Sequence, residues 1–359
     1  MKFAIMTHIA LPEGKDPKQR LDELIEEVQY AEELGFIGAW HAEQHFTRFG
    51  IGSSALVVAS HLAAKTTTIR LGTSVMVPPL HHPIRLAEDT ATMDLLSGGR
   101  LDVGYGRGGG NFGYEGFDIP REQSLERFKE VVTMVQHLWT TRDYSYDGTY
   151  YKICRVNLVP TPVQQPHPPV YIGTLSTGAT MEFLVSMGYT LIVGPVLDTA
   201  IALELCRGFV SMSRAAGHAI PMSQIPFFRF LHLAETQKQA RQEAEASLRW
   251  WYDMTTWRRT FAEGSEYDQS LDAWRHTLTQ PTVDLEQVYT HRAFIGTPEQ
   301  CIANIKGLQE QGIDYFGCNF AFSCMEHDQI MRAMALFATE VMPHFTTPSG
   351  GPRSLPVQA

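Results

Sequence analysis

The stretch FAIMTHIALPEGKDPKQRLDELIEEVQYAEELGFIGAWH, Phe3 to His41, decides the fold class. It opens on a short apolar run, Phe3–His8, that reads as a buried strand. From Lys18 to Leu34 the apolar residues Leu21, Leu24, Ile25, Val28 and Ala31 recur on one helical face, and Gly35 ends the helix. Ile37–His41 is a second strand. A helix crossing between two short apolar strands is the βαβ signature of a parallel sheet.

Working outward, the alternation continues. Helices are predicted over Ser53–Lys65 (capped by Ser53 or Ser54), Pro83–Leu96, Glu122–Trp139, Ser176–Met187, Thr199–Ala216 and Gln237–Trp257, with a last one ending near Phe345. Between them the strands are Ile69–Val77, Leu101–Tyr105, Val170–Thr174, Thr190–Val193, Ile225–Ala234 and Asp314–Phe320. Eight strand–helix pairs predict a (β/α)8 TIM barrel, with a doubly wound sheet plus a helical domain as the alternative. Such a barrel needs ~250 residues, which leaves roughly 100 for insertions. The insertions fall at about 144–169, where Tyr144–Tyr151 and Val156–Val159 resemble a hairpin, and at about 257–292. The domain then runs over 1–345, and the Pro- and Gly-containing tail 346–359 reads as frayed and flexible.

Composition bounds the function. The 359 residues are 44% apolar and 19% charged, an ordinary globular balance, and 29 basic against 39 acidic side chains leave a formal charge of −10. An acidic surface argues against a nucleic acid or an anionic membrane as partner. The five cysteines contain no C-x-x-C pair, so neither a disulfide framework nor a zinc knuckle is indicated. The start, Met1–Pro12, reads as a strand rather than a signal peptide, and no run approaches ~18 apolar residues. These features imply a soluble cytoplasmic protein.

Barrel active sites sit at the C-terminal ends of the strands, so the residues there carry the chemistry. They are His8; His41, Glu43, Gln44 and His45; Ser74, His81 and His82; Gly106–Asn111; Thr174–Thr177; and Phe320–Cys324. Gly104-x-Gly106-x-x-Gly109 satisfies a dinucleotide pattern, but no helix is predicted for about a dozen residues, which argues against a Rossmann turn. The loop reads either as a plain flexible turn or as backbone approaching a flat or phosphorylated ligand, with Arg107 as charge partner. Thr174–Gly178 opens a helix and reads equally as an anion site or as an ordinary N-cap by Ser176. His41 and His45 have zinc-like spacing but lie on a strand exit rather than a helix, so no metal is expected. His81-His82-Pro83 reads as helix-entry structure. The aromatic group Trp250, Trp251, Tyr252, Trp257, Phe261, Tyr267 and Trp274 is either core or, beyond Trp257, a lid over an apolar pocket.

Three segments, WHAEQHFT (Trp40–Thr47), VPPLHHPIRLAED (Val77–Asp89) and SGGRLDVG (Ser97–Gly104), resemble the bacterial luciferase-like flavin monooxygenases, as do Gly104-x-Gly106-Arg107-Gly108 and Gly296-Thr-Pro-Glu299. The resemblance implies a TIM barrel that binds FMN at its C-terminal mouth, the reduced flavin coming from a separate flavin reductase. It places phosphate contacts on Arg107, Gly108, Arg127 and the segment Leu175-Ser176-Thr177, and a non-proline cis peptide under the flavin on Ser74-Val75. Reduced FMN with O2 would form a C4a-(hydro)peroxyflavin that oxygenates an apolar organic substrate, by hydroxylation or Baeyer–Villiger insertion. His45 and Gln44 are the catalytic candidates. Where the luminous relatives carry His-His after the glutamate, Gln44 stands first here, and their reactive cysteine is Gly106, which implies a non-luminescent member. The resemblance also implies a homodimer, and it admits deazaflavin (F420)-dependent hydride transfer or flavin binding without catalysis on the same fold.

Overall fold

The computed structural model describes residues 1–109, 111–259 and 270–345. The first half alternates β1 (Lys2–Thr7), α1 (Pro17–Glu33), β2 (Gly38–His41), α2 (Ala55–Lys65), β3 (Arg70–Thr73), α3 (Pro83–Leu96), β4 (Leu101–Tyr105), α4 (Asn111–Gly116) and α5 (Ser124–Thr140). A hairpin follows, β5 (Tyr144–Asp147) with β6 (Lys152–Val156). The second half runs β7 (Val170–Gly173), α6 (Ala179–Ser186), β8 (Thr190–Ile192), α7 (Thr199–Ala215), β9 (Phe227–Leu233) and α8 (Gln237–Trp257). It closes with α9 (Leu271–Arg275), α10 (Leu285–His291), β10 (Ala293–Gly296), α11 (Pro298–Glu310), β11 (Tyr315–Ala321) and α12 (His327–Leu336).

The strands pair in the order β10-β9-β11-β1-β2-β3-β4-β7-β8, all parallel, and a bridge between Val193 and Phe227 joins β8 to β9. That bridge closes the eight-stranded ring of a TIM barrel, and β10 flanks the later half of β9 as a ninth strand. Among the described residues no helix is long and apolar enough to cross a membrane.

Alternation along each strand decides what fills the ring. Trp40 reaches across from β2, its Nε1 donating to the Tyr315 hydroxyl at 3.0 Å, its ring edge-on to Tyr171 and Phe228. Glycines make the room: a Cβ on Gly72 would stand 2.2 Å from the Trp40 ring, and one on Gly317 1.9 Å from that of Phe228. Below, the Arg70 guanidinium pairs with both oxygens of buried Asp102 at 2.7 and 2.9 Å. On the helix side, Glu32 receives the backbone N–H groups of Thr67, Thr68 and Ile69 and so guides the chain into β3.

Three details differ from the sequence reading. The second hairpin strand is Lys152–Val156 rather than Val156–Val159, because the buried Glu130 carboxylate accepts from the Tyr150 and Tyr151 amides and tightens the turn. The short helix Asn111–Gly116 starts well before the dozen residues allowed for it, and Gly178, not Ser176, precedes α6. The Thr174 hydroxyl, bonded to the carbonyl of Ser176, closes a local turn that delays that helix. Within 257–292 the chain forms α9 and α10, while Phe261, Tyr267 and the tail 346–359 lie outside the described residues.

Candidate active site

A cavity of about 510 Å³ opens at the C-terminal mouth of the barrel, within the ~300–1,000 Å³ range of small-molecule sites. Its floor is Ser74-Val75, joined by a cis peptide bond. The glycine loop after β4 contributes Gly108 and Gly109, and Val77 and Leu80 add an apolar side. That loop is pinned from beneath: Arg121 Nη2 donates to the Gly108 carbonyl at 2.9 Å, and its guanidinium lies 4.5 Å from the centre of the Tyr114 ring.

The opposite wall is aromatic. His8, at the end of β1, packs edge-on against Trp251 of α8 with centroids 4.6 Å apart, and Phe49 meets Trp251 at 4.5 Å. Burial, and then the Arg258 charge, push the His8 pKa from 6.5 down to about 3, so its imidazole is neutral at physiological pH. Its buried Nδ1 makes no hydrogen bond among the described residues. The same shift links folding to acidity. The unfolded chain takes up the His8 proton below pH 6.5 while the folded one refuses it until near pH 3, so stability falls as pH drops through that window. Urea midpoints should report a loss of ~2 kcal/mol from this group by pH 5, and His8→Phe should flatten that limb.

On the strand-two side the acid–base groups gather. Glu43 is buried, and its carboxylate accepts from His45 Nε2 at 2.8 Å and from His81 Nε2 at 2.9 and 3.0 Å. Burial alone would raise the Glu43 pKa, but the two imidazole bonds hold it below the usual carboxylate value. Burial opposes a proton on His81, yet the bond to Glu43, that residue's charge and Asp89 raise its pKa. The Glu43 amide donates to the Val75 carbonyl at 3.3 Å, tying this cluster to the floor. His45 is also flanked by Phe117, edge-on at 4.9 Å.

Of the candidates read from the sequence, Gln44, His45, Ser74, Val75 and Gly108 line this cavity together. Arg107, Arg127, Leu175, Ser176 and Thr177 stand outside its wall. Arg107 lies on the loop beside Gly108. Arg127 is turned to the hairpin, its Nε donating to Gln123 and its guanidinium 4.3 Å from the Tyr150 ring centre. Leu175, Ser176 and Thr177 are exposed ahead of α6. His41 and His45 point apart, since His41 Nε2 bonds the Ala55 carbonyl at 2.7 Å. Sequence reasoning missed His81 as a partner of Glu43, and Arg121 as the loop clamp. The repeated histidines of Leu80–Pro83 were the only available signal for the first.

Comparison with known proteins identifies the family and the fold. The family model for luciferase-like monooxygenases matches residues 1–315. The oxygenase component of the flavin-dependent trigonelline monooxygenase of Acinetobacter baylyi is 27% identical over 355 residues, 96% of each chain. The crystal structure of monooxygenase RslO1 from Streptomyces bottropensis superposes with a TM-score of 0.82 at 26% identity, covering 96% of this chain and all of that one. The oxygenating constituent of 3,6-diketocamphane monooxygenase from Pseudomonas putida, solved with FMN, shares the fold with a TM-score of 0.80 at 16% identity, covering 97% of this chain and 99% of that one. With a barrel of this topology, an acid–base cluster at its mouth and a family match over most of its length, the chain belongs to the luciferase-like, flavin-dependent monooxygenase family.

Proposed function

We propose that this protein is the oxygenase of a two-component monooxygenase. It would take reduced FMN from a separate flavin reductase and use O2 to oxygenate an apolar organic substrate. The observation that carries the reading is the mouth cavity, which sets the Ser74-Val75 floor beside the Glu43–His45 cluster. The residues present fit a flavin. The floor has an apolar face in Val75, Val77 and Leu80, the Gly108–Gly109 backbone carries no side chain to obstruct a ring, and Glu43, being paired, leaves no bare buried carboxylate against an anion. Arg107 on the adjoining loop, with the Ser176 and Thr177 hydroxyls, is the proposed phosphate anchor, and Arg127 a second cation farther out. The "oxygenase component" in the Acinetobacter relative's name supports a separate reductase, and the FMN in the diketocamphane enzyme supports FMN.

When bound, the reduced flavin supplies the two electrons with which O2 yields one inserted oxygen atom and one water. The chain's own residues do the rest. His8, Phe49 and Trp251 form a wall that keeps water from the reacting centre. His45 and Gln44 place hydrogen-bonding groups at the cavity edge, and His45 handles a proton there. The decisive experiment combines the protein with FMN, NADH, a generic reductase, 18O2 and a panel of apolar substrates. A product carrying one 18O atom is expected. Turnover without O2 on reduced deazaflavin, with no oxygenated product from FMN, would replace this reading. Arg107→Ala is expected to weaken FMN binding ~10–100-fold through loss of a charged hydrogen bond, and a fluorescence titration with unchanged affinity would remove Arg107 from the site.

A further inference from the structure

We propose that Glu43 is the positioning residue of this site: by accepting from His45 and His81 together, it locks both imidazoles as Nε2–H tautomers and makes them share one carboxylate. The inference rests on the monooxygenase reading for its chemical purpose, and on geometry for everything else. A carboxylate only accepts, so each ring nitrogen turned to it must carry hydrogen. His45 Nε2 stands 2.8 Å from Oε1, and His81 Nε2 2.9 Å from Oε2. In each neutral ring the lone pair is therefore on Nδ1, and Nδ1 of His45 is the nitrogen left to take a proton from a bound molecule.

The sharing has a direction. Both rings donate to the same buried carboxylate. His81 is the more exposed of the two, with a side chain 30% accessible against 11% for His45. It also feels Asp89 from α3. His82 is next in the chain, and the other ionisable groups on the cavity wall are His8, Glu115, Arg258 and Arg259; the Tyr151 hydroxyl donates to the His81 carbonyl at 3.3 Å. His81 thus meets the shared carboxylate from the solvent side, and His45 meets it from the cavity wall.

The test reads tautomers directly, by 15N NMR of histidine-labelled, flavin-free protein. Wild-type protein should show Nε2–H tautomers for neutral His45 and His81. In Glu43→Leu neither ring keeps an acceptor for its Nε2–H, so both should relax from a single Nε2–H tautomer to a mixture with Nδ1–H. With the flavin system added, Glu43→Gln should lose roughly a hundredfold in product formation, with FMN affinity unchanged. Unaltered tautomers in Glu43→Leu would overturn the proposal. Failure of the protein to bind FMN would instead strike the functional reading and leave the NMR result standing.

Discussion

His45→Ala is expected to cut oxygenated product by a hundredfold or more while FMN affinity stays within about twofold. The size follows from the usual worth of a positioned acid–base group, ~10²–10⁴ in rate. The selectivity follows from placement. His45 lies at the cavity edge, held by Glu43 and Phe117, whereas the floor Ser74-Val75 and the Gly108 loop are set by other elements. Removing the imidazole should therefore spare the binding surface and lose proton control, and the consumed oxygen should leave as hydrogen peroxide. Parallel assays of NADH oxidation, peroxide and product would check this. Normal coupling of NADH to product would exclude His45 from the chemistry.

Gly72→Ala should destabilise the barrel by roughly 3 kcal/mol, the upper end for an overpacked core. The added methyl would lie 2.2 to 2.6 Å from three atoms of the Trp40 indole, which is boxed in by Tyr171, Phe228 and Tyr315 and has nowhere to retreat. Trp40→Phe in the same chain should recover part of the loss, because the smaller ring vacates that space. Gly307, exposed on α11 with nothing near its missing Cβ, provides the control: alanine there should raise stability by up to ~1 kcal/mol. Urea denaturation of the four proteins measures the cycle, and additive losses in Gly72→Ala and Trp40→Phe would refute the steric account.

The barrel was legible because its strands are short apolar runs separated by helices with one clear apolar face, as in Phe3–His41. What escaped notice was short or glycine-rich. Ala293–Gly296 is four residues long, too brief for a period to show, and Asn111–Gly116 carries two glycines, which suppress any helical signal. Gln44, His45, Ser74 and Gly108 line one cavity because strand ends in a barrel converge, and Val75, which only the family resemblance pointed to, lines it with them. The Glu43–His81 contact joins residues 38 positions apart, and no local pattern encodes it. For the same reason His81 looked like a helix-entry residue until the fold brought β2 beside the start of α3.

The cavity wall draws on residues from His8 to Arg259, so no contiguous segment of the chain contains it. It cannot be transplanted as a peptide, and it is complete only once the first strand and the eighth helix have met. Such distant pairings carry the entropic cost of closing the intervening chain. Ligand capture during refolding is therefore a stringent gauge of the finished molecule, since partial assemblies lack one side of the wall.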